Sequence, residues 1–166
     1  MISAEEVERD IVATPKPGLI LICIGLMPAM LSGCHGAPVV QAAMLAQIHL
    51  CQDGAKCSVS LAGLTGFDWD RLYVFDYDSS ATDREKILGV PDEGFTEFQG
   101  QLVFMKSGKI VHQERQPEDI EHRVKDEICF DIPQEARYAS YFHDERFAVT
   151  KVDGQDGIYY VLKPIP

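Results

Sequence analysis

FDWDRLYVFDYD, residues 67–78, is the most regularly patterned stretch of the sequence. Residues at every second position of a β-strand face the same side. One side of this stretch would therefore be mainly aromatic, and the other would carry Leu72 and Val74 between acidic residues. We predict a strand whose aromatic face meets the core and whose acidic ends stay in water.

The segment after this strand, SSATDREKILGV at residues 79–90, predicts a short helix. Thr82 and Glu85 have the spacing of a capping box, in which each side chain bonds the other residue's backbone N–H. Gly89 can adopt the left-handed conformation that ends a helix. The apolar residues near its end, including Leu88, are expected to pack on the sheet.

Tight turns predict two hairpins further along the chain. Ser107-Gly108 separates QLVFM from KIVHQ, and residues 153–157 separate 146–152 from 158–162. The other expected elements are a helix at 39–50, weakly alternating residues at 58–64, a strand at 128–132, and a helical turn or loop at 134–141. Because tight turns join antiparallel neighbours, we predict a single α+β domain: a mainly antiparallel sheet of about six strands with one or two short helices packed on it.

The amino-terminal part contains a different signal, PGLILICIGLMPAMLSGC, at residues 17–34. Its uncharged apolar run, residues 19–27, is too short to span a bilayer, which takes about 20 residues. It has the length of the hydrophobic core of an export signal, about 7–15 residues. The run ends in Leu31-Ser32-Gly33-Cys34.

This ending resembles the lipobox of bacterial lipoproteins, which are cut before the cysteine and acylated on it. The resemblance implies a signal peptide at 1–33, a tether at 34–38 and a periplasmic α+β domain at 39–166. Acylated Cys34 would then bind membrane lipid, at about 0.8 kcal/mol per buried methylene. In that family an aspartate after the cysteine retains the protein at the inner membrane, so His35 favours the outer membrane.

Two features of this region bear on the interpretation. Residues 1–10 carry four acids and one base, whereas a signal opens with a basic segment. We therefore place the true translation start near Val12, which leaves Lys16 as the basic residue. A buried globular helix is the alternative for the apolar run, but the run lacks the polar face that such a helix needs.

A second resemblance lies in WDRLYVF, residues 69–75. It is similar to the Trp-Asp-[Lys/Arg]-[Leu/Met]-Tyr-Val-Phe strand of small, poorly characterised proteobacterial lipoproteins, which is followed by a helix and a Leu-Val-Phe hairpin. Their usual Pro-Tyr is replaced here by Asp76-Tyr77. The resemblance implies the same fold and a cell-envelope location.

The net charge of −11 makes nucleic acid an unsuitable partner, because an acidic surface repels phosphates. Residues 1–33 hold four acids and two bases, so residues 34–166 carry about −9. This charge suits a basic protein partner, although solubility alone also accounts for an acidic composition.

Three cysteines lie beyond Cys34. Disulfides form in exported proteins, and the turn-forming Asp53-Gly54 pair favours a local Cys51–Cys57 bond. Cys57–Cys129 is the alternative, and either pairing leaves one thiol over. The spacing does not match a zinc site, so no metal ligand is assigned.

No segment carries a known catalytic motif. Asp68, Asp70, Asp76 and Asp78 offer carboxylates, but an extended strand spreads the outer two over about 33 Å, too far for one calcium ion. Adjacent His143, Asp144 and Glu145 form the best acid–base cluster, yet no nucleophile accompanies them. His112 and His122 have no evident partner, and Trp69 is expected in the core.

These observations predict a non-enzymatic protein with no catalytic residue and no cofactor. It would be a lipoprotein that is anchored facing the periplasm and binds another envelope protein. An immunity-type inhibitor of an envelope toxin is the narrower form of this hypothesis. The alternative is an envelope enzyme or small-ligand binder that uses a cleft between sheet and helix.

Overall fold

The computed structural model describes residues 39–51, 57–116, 123–133 and 135–166. Cys34, the segments expected to be a signal peptide (1–33) and a tether (34–38), and His122 lie outside these residues. The described part contains the following elements: α1 (Val39–His49), β1 (Ser58–Ser60), β2 (Arg71–Phe75), α2 (Ala81–Leu88), β3 (Gln101–Lys106), β4 (Lys109–Arg115), β5 (Ile128–Phe130), β6 (Tyr138–Phe142), β7 (Arg146–Gly154) and β8 (Gly157–Pro164).

The strands form two four-stranded sheets, which we call sheet A and sheet B. Sheet A has the order β1-β7-β8-β5, and sheet B has the order β4-β3-β2-β6. Every pair is antiparallel except β5 and β8, which are parallel. The α+β class and the mainly antiparallel pairing are confirmed, with two helices and eight strands in the described residues.

The expected count of about six strands in one sheet was too low. The main error concerns β6, because residues 134–141 had been predicted as a helical turn or loop. Tyr138 to Phe142 instead pair residue by residue with β2, from Phe75↔Tyr138 to Arg71↔Phe142. This strand is stabilised by main-chain bonds to a partner more than 60 residues away, which local sequence patterns do not reveal.

The main core draws on both sheets and on α1. Leu72 and Val74 of β2, Phe104 of β3 and Phe147 of β7 are completely buried in one apolar cluster. Helix α1 adds Val40, Met44 and Ile48 to the same cluster. The prediction that the aromatic face of 67–78 meets the core holds only in part. The Leu72–Val74 face meets this main core, whereas Phe75 of the aromatic face is buried in a second cluster. Trp69, which precedes β2, is buried in this core as expected.

Helix α2 covers part of the opposite, outer face of sheet B. Leu88 packs with Phe75, Val103 and Met105 in a second buried cluster. The helix is capped by Ser80, whose hydroxyl accepts the Asp83 N–H at 3.1 Å, and not by the predicted Thr82–Glu85 pair. Its end is as predicted, since Gly89 has φ 73° and donates its N–H to Glu85.

The two predicted hairpins are confirmed. Ser107 and Gly108 both have positive φ, as the tight turn between β3 and β4 requires. Gly154 and Gly157 are paired at the end of the hairpin formed by β7 and β8.

Glu114 of β4 fixes the start of α1. Its carboxylate accepts the N–H of Val40 at 2.6 Å and the N–H of Gln41 at 3.2 Å, and only 5% of the residue is exposed. The Gln41 side chain also donates to the Arg115 carbonyl at 2.9 Å. A carboxylate at a helix N-terminus satisfies free N–H groups and the helix dipole together. Helix α1 is thus bonded to the β4 edge of sheet B.

We expect Glu114→Ala to lower the free energy of unfolding by about 3 kcal/mol, because it leaves buried helix N–H groups without an acceptor. Urea denaturation followed by circular dichroism measures the change. Arg115→Ala is the matched control, since only its backbone carbonyl bonds α1, and it should cost less than about 0.5 kcal/mol. Equal losses in the two variants would contradict this role of Glu114.

Candidate functional site

A row of aromatic side chains lies on the outer face of sheet B, on β2 and β6. We call Arg71, Tyr73, Tyr138, Ser140 and Phe142 the aromatic face. These residues share one side of the sheet because Arg71 is opposite Phe142 and Tyr73 is opposite Ser140 in the β2–β6 register. Phe142 is 58% exposed and Tyr138 is 36% exposed, whereas Tyr73 is half-buried. Large aromatic side chains at this exposure are typical of protein interfaces.

The aromatic face is continuous with the buried cluster under α2. The Tyr138 ring lies 6.0 Å from the ring of buried Phe75 and 6.4 Å from that of Tyr73. At the other end, the Arg71 guanidinium lies 4.2 Å from the centre of the Phe142 ring. Such cation–π contacts contribute about 0.5–1 kcal/mol at exposed sites. The exposed rings are therefore held by neighbours that are themselves fixed.

Strand β6 forms one edge of sheet B. Within the described residues it pairs only with β2. The Asp76 N–H donates to the Arg137 carbonyl, and the His143 N–H donates to the Asp70 carbonyl. Because backbone direction alternates along a strand, the intervening Tyr138, Ser140 and Phe142 direct their N–H and C=O groups away from β2. The three β6 residues of the aromatic face are therefore also the residues whose backbone N–H and C=O groups point away from sheet B.

Two of these outward groups, both of Phe142, have local partners. The Phe142 carbonyl accepts the Glu145 N–H at 3.1 Å. The Phe142 N–H donates to Glu145 Oε2 at 3.0 Å. Carboxylates and other charges beside an edge strand protect it from indiscriminate pairing with other strands. Glu145 therefore shields one end of the β6 edge.

Acidic residues surround both ends of β6. Its first end adjoins a cavity of about 480 Å³ that Asp76, Asp78 and Glu135 help to line. Arg137 lines the same cavity and forms an ion pair with Asp78, which raises the pKa of the Arg137 guanidinium. At the other end, Asp144 and Glu145 follow the strand directly.

The four aspartates that the sequence offered as metal ligands do not converge on one point. Three of them bind different partners, and the fourth is exposed. Asp70 accepts the Ser107 N–H at 2.8 Å, and Asp76 accepts the Tyr77 N–H at 2.7 Å. Asp78 pairs with Arg137, and Asp68 is exposed. Among the described residues, no group of three or more His, Cys, Asp or Glu side chains is arranged to hold a metal ion.

Of the three histidines in the described residues, His49 and His143 are exposed and His112 is partly buried. His143, Asp144 and Glu145 lie in the turn between β6 and β7, where the His143 ring contacts Trp69 with 5.2 Å between ring centres. His112 Nε2 lies 2.9 Å from Glu114 Oε1, a pair that sequence reasoning missed. The signal was available, because residues two apart on a strand share a face. Both Glu114 oxygens, however, are bonded to α1.

A buried arginine was also missed. Arg84 of α2 is completely buried, and it donates to the Gln101 side chain and, at 2.8 Å, to the Gln99 carbonyl. Its guanidinium lies 4.9 Å from the Phe95 ring, and burial lowers its pKa. Asp92 lies 3.9 Å away as a buried counter-charge. These contacts join α2 and the following loop to sheet B.

The interface between α2 and sheet B, where a ligand cleft had been the alternative hypothesis, is filled with side chains. Leu88, Phe75, Val103 and Met105 are all less than 10% exposed. A second cavity of about 330 Å³ lies beside this interface and is lined by residues that include Val90, Lys109 and Gln113. Neither of the two cavities is lined by His112 or His143.

The cysteines agree with the preferred pairing. Cys51 and Cys57 form a disulfide, and Cys129 is a free, half-buried thiol. Burial raises the pKa of Cys129 to about 12, with its sulfur 3.5 Å from Glu127 Oε1. A thiol of this kind is a poor nucleophile. No helix in the described part of the chain is long and apolar enough to cross a membrane.

The fold and the surface together define a two-sheet α+β domain with an exposed aromatic edge strand. No protein-family model, no curated protein and no solved structure matches this chain.

We expect Cys129 to react slowly with iodoacetamide in the native protein. At pH 8 a pKa of about 12 leaves about one thiolate in ten thousand, so alkylation should be at least about a hundredfold slower than after unfolding in urea. The native rate should rise with pH, since ionisation supplies the nucleophile. Mass spectrometry of the peptide that contains Cys129 measures both rates, and equal rates would show that the thiol is not protected.

Proposed function

We propose that this protein is a lipid-anchored, non-enzymatic protein of the cell envelope that binds another protein through the aromatic face. The observation that carries the proposal is the exposed row of Tyr138 and Phe142 beside the open edge of β6. In this proposal acylated Cys34 attaches the domain to the outer membrane on its periplasmic side.

The form of the surface favours a protein partner over a small molecule. Small-ligand sites are concave and enclose most of the ligand, whereas the aromatic face lies on the outside of a sheet. Interface hot spots are rich in Tyr, Trp and Arg, and Tyr73, Tyr138 and Arg71 are members of this face. The His112–Glu114 pair, the best acid–base arrangement, is committed to holding α1 in place.

Helix α1, the first described element after the proposed anchor, and the aromatic face lie at opposite edges of sheet B. The tether at 34–38 spans at most about 18 Å, and α1 is bonded to β4 through Glu114. In sheet B, β4 and β6 are the two outer strands, separated by about 14 Å. A lipid on Cys34 would be joined to the domain through α1 and the β4 edge, and β6 is the other outer strand of the sheet.

The charge of the chain suggests the chemistry of that partner. The protein carries −11 overall, and carboxylates lie at both ends of β6. Complementary charge accelerates association and excludes wrong partners. An immunity-type role, in which this domain covers a basic toxin in the periplasm, is the narrower form of the proposal.

We expect cells that express the protein to attach a clickable palmitate analogue to it, and Cys34→Ser to abolish the label. The variant should also move from the membrane fraction to the soluble periplasmic fraction, because it loses the apolar chains. Cys129→Ser is the matched control and should keep both label and location. A labelled Cys34→Ser protein would contradict the proposed anchor.

We expect a photo-crosslinking amino acid in place of Phe142 to give a discrete protein adduct in cells. The same amino acid in place of Val111, which is 42% exposed on β4, should give none. Adding Tyr138→Ser should reduce the adduct at position 142 by at least about tenfold, because it removes the other exposed aromatic contact of β6. Gel electrophoresis and mass spectrometry detect the adduct. An adduct at position 111 together with none at position 142 would place the binding surface elsewhere.

A further inference from the structure

We propose that β6 accepts an extended, basic segment of the partner protein as an additional strand of sheet B. This inference rests on the proposed function and specifies how the surface works. Strand addition supplies affinity through main-chain hydrogen bonds and specificity through alternate side chains. The β6 edge offers both.

The main-chain groups are placed for such pairing. Tyr138 and Ser140 direct their N–H and C=O groups to the open side, because their neighbours use theirs for β2. The Phe142 N–H is bonded to Glu145. An incoming lysine or arginine can form an ion pair with the Glu145 carboxylate. This pair would release the Phe142 N–H to bond with the added strand. Pairing and charge recognition are therefore linked at this end of β6.

The side chains supply a specific subsite. Ser140 is small and lies between Tyr138 and Phe142, and its cross-strand neighbour on β2 is Tyr73. A residue of the added strand opposite Ser140 would have aromatic rings on both sides. Arginine and lysine bind aromatic faces through cation–π contacts, as Arg71 already does on Phe142. This subsite therefore favours a cationic side chain.

Charge decides between the possible occupants of the edge. The nearby carboxylates are Asp76, Asp78, Glu135, Asp144 and Glu145. Of the bases beside β6, Arg137 pairs with Asp78, and the Arg71 guanidinium lies over the Phe142 ring. A second copy would bring two sets of these carboxylates together, and an anionic lipid surface would be repelled. A basic strand from a different protein is the occupant that neutralises them.

The first test uses the lipidated mature protein in neutral detergent micelles with two fluorescent peptides. The basic peptide has the sequence KVKVKVK, and its acidic counterpart is EVEVEVE. We expect fluorescence anisotropy to show binding of the basic peptide, weaker in high salt, and none of the acidic one. Methylation of alternate backbone nitrogens in the basic peptide should weaken binding by at least about tenfold, because it removes the main-chain donors.

Ser140→Pro is the matching change on the protein. Proline removes the outward N–H of residue 140 and leaves the bonds between β6 and β2 in place, as edge strands allow. We expect Ser140→Pro to lower the affinity for the basic peptide by at least about tenfold. Ser140→Thr keeps the N–H, so its affinity should stay within about threefold of that of the unchanged protein. Circular dichroism and the thermal midpoint verify that both variants are folded.

Four outcomes would overturn the inference. These are equal binding of both peptides, no binding of the basic peptide, a dimer that Ser140→Pro dissociates, and binding to phosphatidylglycerol vesicles that Ser140→Pro abolishes. The crosslink at position 142 separates this inference from the proposed function. If Ser140→Pro leaves the adduct intact and Tyr138→Ser removes it, a protein partner binds the aromatic face without strand addition.

Discussion

Burial of both faces of β2 is the constraint on which this structure depends. Leu72 and Val74 point into the core shared with sheet A, and Phe75 points into the cluster under α2. Antiparallel sheets commonly leave one face in water, so a strand that is apolar on both sides needs two covers. Sheet A and α1 together bury the Leu72–Val74 face, but α2 has only eight residues and is about 12 Å long. It cannot extend over the whole outer face of sheet B, and the aromatic face is the part that it leaves uncovered.

This constraint explains which features of the fold could be predicted. The hairpin at Ser107-Gly108 and the helix end at Gly89 depend on local backbone conformation, and local residue types revealed both. The period of two in residues 67–78 revealed β2 but not its orientation, because both of its faces are apolar. Strand β6 and the parallel pairing of β5 with β8 depend on residues far away in the chain. Their stability comes from tertiary partners, which a single sequence does not display.

The candidate site was hidden for a related reason. Tyr73 and Phe75 were expected on one buried face, yet they differ in exposure because α2 covers one and only borders the other. Two polar side chains have the reverse relation between residue type and role. Glu114 and Arg84 have the chemistry of functional residues, but the structure uses them to join helices to sheet B. The type of a residue thus indicated what it can do, and only its partners showed whether that capacity was already engaged.

The carboxylates around β6 explain how an exposed aromatic edge strand can avoid unspecific pairing. An uncovered strand with rings along one side is prone to pair with any other strand, and proteins limit this with charges beside the edge. Here the Glu145 carboxylate occupies the Phe142 N–H, and further carboxylates lie at both ends of the strand. The same groups that oppose pairing between identical acidic chains would attract a basic strand. Protection against self-association and selection of a partner can therefore arise from one set of side chains, and the −11 net charge of the chain extends both effects.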